Sequence, residues 1–277
     1  MSADLQWPSA NIPPSGPFTL LVDGFNSSSE EAGIEGVQGM AQTYGHLIYA
    51  YGPGPSAQPT VAFSYSGVGR RYVPEATHDL FGAAPKLIDY LPQDTLRAVV
   101  PVGASGGAIV VLLGVGEWIR RINADPPTIK TAIPRIILVA PALCVVARVF
   151  EKVFFRPHAR IATPISALRL VQPGSRSSRN ARKAIAQACA LIHWADIPIY
   201  VAQWAADGLT LAEWDPDVRR IVEPVKKRIN VDLDDPILPN SALRTVRGHL
   251  EFLRNPATVR QVTTWATLKK STGSASR

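Results

Sequence analysis

The chain has 277 residues, 46% of them hydrophobic and 18% charged, with a formal net charge of +7 at pH 7. That length is enough for one large domain with a sizeable core, and the composition excludes a disordered chain. The start, Met1-Ser2-Ala3-Asp4-Leu5, has no basic leader with an apolar core, and no uninterrupted apolar run reaches a membrane-spanning length, so a cytoplasmic location is expected.

Residues 1–17 are rich in Pro and Ser and read as an irregular arm. Phe18-Thr19-Leu20-Leu21-Val22 reads as a strand ended by Asp23-Gly24. A helix is expected from Glu30 to about Tyr49, then a Pro/Gly loop from Tyr51 to Pro59. Thr60 to Tyr65 is the next strand. Thr77 to Leu91 reads as a helix with Leu80, Phe81, Ala84, Leu87, Ile88 and Leu91 on one face, kinked at Pro85. Arg97 to Val102 and Arg135 to Ala140 are short, apolar, β-branched strands, separated by an apolar helix that begins at Ala108. Ile197 to Ala202 is another strand. Asp215-Pro216 opens a helix with Val218, Ile221, Val222 and Val225 on one side. Ala242 to Arg247 is expected as the last strand. Asn255-Pro256 opens the final helix, with Val259, Val262 and Trp265 facing inward.

Strands alternating with helices predict an α/β fold: a mostly parallel sheet of six strands, or slightly more, with helices on both faces. Residues 18–141 and 196–270 form the expected core. Residues 142–195 contain no comparable strand and are expected to form a helical cap.

The excess charge is local. Residues 142–196 carry nine Lys/Arg against Glu151 and Asp196, and the twenty basic residues elsewhere balance twenty acidic ones. A solvated basic face accounts for this. Contact with an anionic surface or an acidic substrate accounts for it too. No nucleic-acid motif or aromatic–basic platform accompanies the charge, so nucleic acid is not an expected partner. The two cysteines, Cys144 and Cys189, lie in no metal-ligand spacing and read as reduced thiols, with a disulfide as the alternative.

Gly103-Ala104-Ser105-Gly106-Gly107 is the motif that carries chemistry. It reads G-x-S-x-G between an expected strand and an expected buried helix, the setting of a nucleophile elbow. Glycines permit the tight turn. The turn holds the Ser105 hydroxyl at the carboxyl end of the sheet. The Gly106 N–H, at a helix N-terminus, is aimed at a developing oxyanion. An ordinary small-residue turn is the competing explanation.

A serine hydroxyl needs a base to take its proton, and the base needs an orienting acid. Of five histidines, His46 and His78 precede Ser105 in expected helices, and His158 and His193 lie in the expected cap. His249 follows the last expected strand and is the candidate base. Asp207 follows the strand at Ile197–Ala202, 42 residues before His249, and is the preferred acid. Asp235 is the alternative, but its 14 residues before His249 leave little room for a helix and a strand. The second oxyanion donor is expected after the first strand, at the N–H of Phe25 or at Asn26.

These segments resemble the α/β-hydrolase superfamily, and within it the bacterial serine esterases and lipases. Leu20 to Phe25 is similar to the family's first strand and oxyanion loop. Ala62 to Gly67, with Tyr72 and Thr77, is similar to a lipase segment before the elbow. The strand leading to Asp207-Gly208 resembles the acid-bearing strand, and Val246 to Leu250, followed by Arg254-Asn255-Pro256, the histidine loop. The likeness spans about residues 18–268 outside the cap. The chain departs from the family at Asp23, where a histidine is usual, and at Ala104, where His or Tyr is usual.

The resemblance implies hydrolysis of a small-molecule or lipid ester through an acyl-enzyme, with no metal or organic cofactor. A thioesterase or acyltransferase would use the same triad. A non-catalytic binding protein on the same fold is the alternative of another class.

Overall fold

The computed structural model describes residues 12–13, 15–22, 58–63, 81–93, 97–141, 176–204, 225–231, 252 and 255–268. Six strands lie within them: β1 (Phe18–Val22), β2 (Thr60–Phe63), β3 (Val99–Ala104), β4 (Ile136–Val139), β5 (Ile199–Trp204) and β6 (Val225–Val231). Every residue of β1, β3 and β4 is buried. Strands covered on both faces need no polar alternation, and these read as continuous apolar runs.

The strands form one sheet in the order β2-β1-β3-β4-β5-β6, and each neighbouring pair is parallel. The chain winds outward from β1 to β2, then crosses back to lay β3 on the other side of β1. Connections therefore diverge between β1 and β3. In open parallel sheets, ligand sites form outside the carboxyl ends of the strands at such a divergence.

Helices cover both faces. Helix α1 (residues 81–87) tightens into the 3-10 turn Ile88–Tyr90. Helices α2 (Gly107–Arg121), α3 (Pro126–Ala132) and α4 (Arg176–Trp194) follow, and α5 (Pro256–Ala266) is the last. One buried cluster joins β1, β3 and β4 to α1, α2 and α4 through Leu20, Leu87, Ile109, Val115, Ile185 and Ile192. The other joins Val102, Val139 and Ala202 to Phe252, Val262 and Trp265. The α1 face matches its expected apolar positions, with Ala84, Leu87, Ile88 and Leu91 buried.

Helices α2 and α4 touch closely. A Cβ built on Gly116 would lie 2.6 Å from both Cα and Cβ of Ala188, so glycine is needed for this approach. Helix α3 starts at Asp125, whose side chain accepts the Thr128 N–H at 3.1 Å, with prolines at its first two positions. Lys130 of α3 pairs with Asp196 just past α4. Both pairs are local ties on the surface and add little to stability.

The sequence reading of residues 142–195 is refined at its end. Helix α4 packs on α2 and contributes Ile185, Cys189 and Ile192 to the main core. It serves as the crossover between β4 and β5. Residues 142–175 lie outside the described residues. Cys189 is a free thiol, and burial pushes its pKa up to about 12.

One expectation is corrected. Val225 was assigned to a helix face, but Val225–Val231 is β6, paired with β5 from Ile199↔Val225 to Trp204↔Val231. Its sequence, VKKRINV, has three consecutive cations, which hide a strand from a periodicity reading. Among the described residues β6 pairs with β5 alone. The strand expected at 242–247, and the helices expected at 30–49 and from Asp215 to 224, lie outside the described residues.

Helix α5 is fastened at the amino edge of the sheet. Gln58, just before β2, donates from Nε2 to Thr19 Oγ1 at 3.0 Å and to the Ala266 carbonyl at 3.1 Å, and its Oε1 accepts the Leu268 N–H at 2.9 Å. Arg135 donates to the Trp265 carbonyl at 3.0 Å and stacks 5.6 Å from the Tyr200 ring centre. Asn255 caps the other end by accepting the Ala257 N–H at 2.8 Å. With its C-terminus tied to the amino edge, α5 begins at the carboxyl edge. No helix among the described residues is long and apolar enough to cross a membrane. Gln58→Leu removes three partly buried hydrogen bonds at once, so urea unfolding should show a loss of about 1–3 kcal/mol.

Candidate active site

Strand β3 is level with β1 along its length, with Val22 opposite Gly103. Both strands therefore end together at the divergence of the sheet. Beyond Ala104 the chain turns sharply into α2, and Ser105 sits at the turn with φ of +50°. That is left-handed backbone, which an L residue avoids unless its surroundings impose it. The surroundings here are hydrogen bonds on both sides of the serine. The Ser105 N–H donates to the Val139 carbonyl of β4 at 2.9 Å, and the Ser105 carbonyl accepts the Ala108 N–H at 3.2 Å. The peptide is held from the sheet and from the helix, and the side chain remains partly exposed between them.

The first glycine of the motif is required by packing. A Cβ on Gly103 would lie 2.7 Å from the Gly107 carbonyl oxygen and 2.8 Å from the Ala108 Cα. Both are backbone atoms and cannot swing aside. Helix α2 thus starts directly against β3, which forces the turn between them to be tight.

Gly106 is the N-cap of α2, with φ of −62° and ψ of −28°. No side chain caps it, and no acid lies in the first turn. The first amides of a helix have no intrahelical acceptor, and the helix dipole adds partial positive charge there. The Gly106 N–H belongs to this open end, one residue from the serine. The arrangement can hold a nucleophilic hydroxyl beside a donor suited to an oxyanion.

Ser105 and Gly106 are therefore together in the expected geometry. Asp207, Asp235, His249, Phe25 and Asn26 lie outside the described residues. The elements that lead to them are described. β1 ends at Val22, one residue before Asp23, beside the elbow. β5 ends at Trp204, three residues before Asp207, and is the second strand from β3. β6 ends at Val231, four residues before Asp235, and is the third. Asp235 thus also follows a strand, which removes the spacing argument against it. With strands about 4.8 Å apart, the end of β5 lies about 10 Å from the Ser105 backbone and the end of β6 about 14 Å.

A sequence reading that ends β5 at Ala202 misses Gln203. It is a polar residue near the end of an apolar strand, 4% exposed, and its Oε1 has no hydrogen-bond partner among the described residues. A polar side chain closing a buried parallel strand is the signal that finds it. No group of three or more His, Cys, Asp or Glu that could hold a metal ion occurs among the described residues.

The parallel strand order, the divergence beside β1 and the strained serine between β3 and α2 come together in one arrangement. The architecture is an open parallel α/β sheet with a strained serine turn at its carboxyl edge. No family model matches the chain, and no curated protein matches it. Solved structures similar to it include EstE1, a thermophilic carboxylesterase cloned from a metagenomic library, at 14% identity over 93% of this chain and 83% of that one, with a TM-score of 0.45. The hyperthermophilic esterase of the archaeon Pyrobaculum calidifontis matches at 14% identity over 92% and 80%, with a TM-score of 0.45. A thioesterase domain from the curacin biosynthetic pathway matches at 13% over 91% and 92%, with a TM-score of 0.44.

Two substitutions test the geometry. Gly103→Ala should destabilise by about 1–3 kcal/mol in urea unfolding, because a backbone clash cannot relax locally. At position 105, glycine should be more stable than valine by about 2 kcal/mol, since a β-branched side chain is worst placed at positive φ. Equal stability of those two variants would mean that the turn is unstrained.

Proposed function

We propose that the protein is a serine hydrolase that cleaves a carboxylic ester through an acyl-enzyme. The observation that carries the reading is Ser105 itself. It is a non-glycine residue kept at positive φ, at the divergence of a parallel sheet, against an uncapped helix N-terminus. Strain of that kind is retained where it does a job, and here it presents a hydroxyl beside a donor.

In this reading Ser105 Oγ attacks the acyl carbon and His249 takes its proton. The N–H groups of Gly106 and of Phe25, or the Asn26 side chain, hold the oxyanion. The intermediate collapses, the ester C–O bond breaks, and His249 returns the proton to the departing alcohol. Water then attacks the acyl-enzyme with His249 again as base, releasing the acid and restoring Ser105.

Asp207 is the acid that orients His249, with Asp235 as the alternative. Asp207 is favoured because its strand lies nearer to β3 in the sheet. Segment 142–175 leaves from the carboxyl end of β4 and returns at the start of α4, whose chain then runs back to the amino edge to begin β5. We read that segment as part of the cap, and its basic residues would favour an anionic substrate or surface.

The test is hydrolysis of a p-nitrophenyl ester series from short to long acyl chains, with labelling by a fluorophosphonate probe. The wild type should turn over at least one ester and be labelled. Ser105→Ala should be unlabelled and slower by at least about a thousandfold in kcat/KM, with a similar loss for His249→Ala. Asp207→Asn should cost more than Asp235→Asn. Labelling with silent oxygen esters and active acyl thioesters would point to a thioesterase. A folded wild type that is neither labelled nor active would be a binding protein.

A further inference from the structure

At the carboxyl edge, three adjacent strands meet in one row. The Ser105 N–H bonds to the carbonyl of Val139 at the end of β4, and the Ala140 N–H bonds to the carbonyl of Ala202 in β5. Val139 and Ala202 are register partners, so Gln203 stands one residue higher, beside Ala140 and level with the elbow. Two strand spacings separate its backbone from that of Ser105, about 10 Å. A glutamine side chain and a short acyl or alcohol group span that distance together.

The side chain of Gln203 is on a definite face. Residues alternate along a strand, and Ile199 and Val201 belong to the cluster under α2 and α4, while Ala202 belongs to the cluster under α5. Gln203 therefore lies on the α2 side, the side to which the chain turns after Ser105. It is 4% exposed, and its Oε1 is a buried acceptor with no partner among the described residues.

An unpaired buried carbonyl is costly, so such a group is kept where something supplies a donor. Nothing in the core explains a carboxamide here. Leucine would fill the place at lower cost, as the neighbouring strand positions show. Gln203 is level with Ser105 at the carboxyl edge, where ligand sites form in open parallel sheets.

We infer that Gln203 is a specificity-determining residue of the Ser105 site. Its Oε1 accepts a hydrogen bond from a hydroxyl or amide N–H carried by the substrate, so the preferred substrates are esters bearing such a donor, not plain hydrocarbon esters. The inference rests on the serine-hydrolase reading and adds the substrate class to it. A site built around a buried acceptor discriminates strongly against an analogue that lacks the donor, since the acceptor is then left desolvated and unpaired.

The experiment compares kcat/KM for matched pairs: p-nitrophenyl 2-, 3- and 4-hydroxybutyrate against p-nitrophenyl butyrate, and glycerol monobutyrate against propyl butyrate. The wild type should favour a donor-bearing member by about tenfold or more. Gln203→Met keeps the length and removes the acceptor, and should bring that ratio to within about twofold of unity. Gln203→Glu keeps an acceptor and should retain the preference. Fluorophosphonate labelling of Ser105 in all three proteins reads the parent hypothesis separately. If Ser105 is labelled but the wild type shows no preference, or Gln203→Met shows the wild-type ratio, the inference is wrong. If Met lowers both members of every pair equally, Gln203 is structural and the inference is again wrong. If the wild type is not labelled, the serine-hydrolase reading fails first and takes this inference with it.

Discussion

Helix α2 begins against β3 with no space for a single methyl group at Gly103, and the rest of the site follows from that contact. Because the helix starts so close to the strand, the residues between them have one way to turn. That turn places Ser105 in the left-handed region and leaves the Gly106 amide at an open helix end. The strain at Ser105 costs on the order of 1–3 kcal/mol. It is offset by the burial of most of α2, where eleven residues from Gly107 to Ile119 are inside the protein. The local cost is small against that burial at about 25 cal/mol per Å² of apolar surface, so the fold can impose the conformation.

The sheet then decides what can meet the serine. Parallel strands with crossovers put all their carboxyl ends on one edge. The outward turn from β1 to β2 makes the connections diverge beside β3. Segments that follow β1, β3, β4 and β5 are all delivered to that edge, while Gln58 and Arg135 work at the opposite edge and keep α5 in line. Structural ties and candidate chemistry are thus spatially separated. The amino edge carries side-chain hydrogen bonds between distant parts of the chain. The carboxyl edge carries the strained turn and the unpaired Gln203 acceptor.

How much of this was legible in the sequence depends on burial. Strands β1 to β5 were readable because doubly covered strands are continuous apolar runs, and the elbow was readable because its glycines are dictated by close packing. Helix α5 was readable from Asn255-Pro256, a cap followed by a residue suited to a first turn. Strand β6 was not, since VKKRINV has no apolar run and has the charge of a surface helix. The role of α4 was hidden by its basic first half, which reads as part of an insert, while its core contacts begin at Ile185. Gln203 was missed because one polar residue at a strand end looks like the end of the strand. Of the candidate site residues, the structure describes Ser105 and Gly106, at the turn between β3 and α2. The partners expected at 207 and 249 lie outside the described residues.

Helix α2 is gripped at both ends of its buried length, at Gly103 by the sheet and at Gly116 by Ala188 of α4. A rod clamped at two points neither slides nor rotates, so insertions elsewhere leave Ser105 where it is. Over evolutionary time, segments joined to the sheet elsewhere can therefore change in length and sequence while the turn at Ser105 is inherited unaltered.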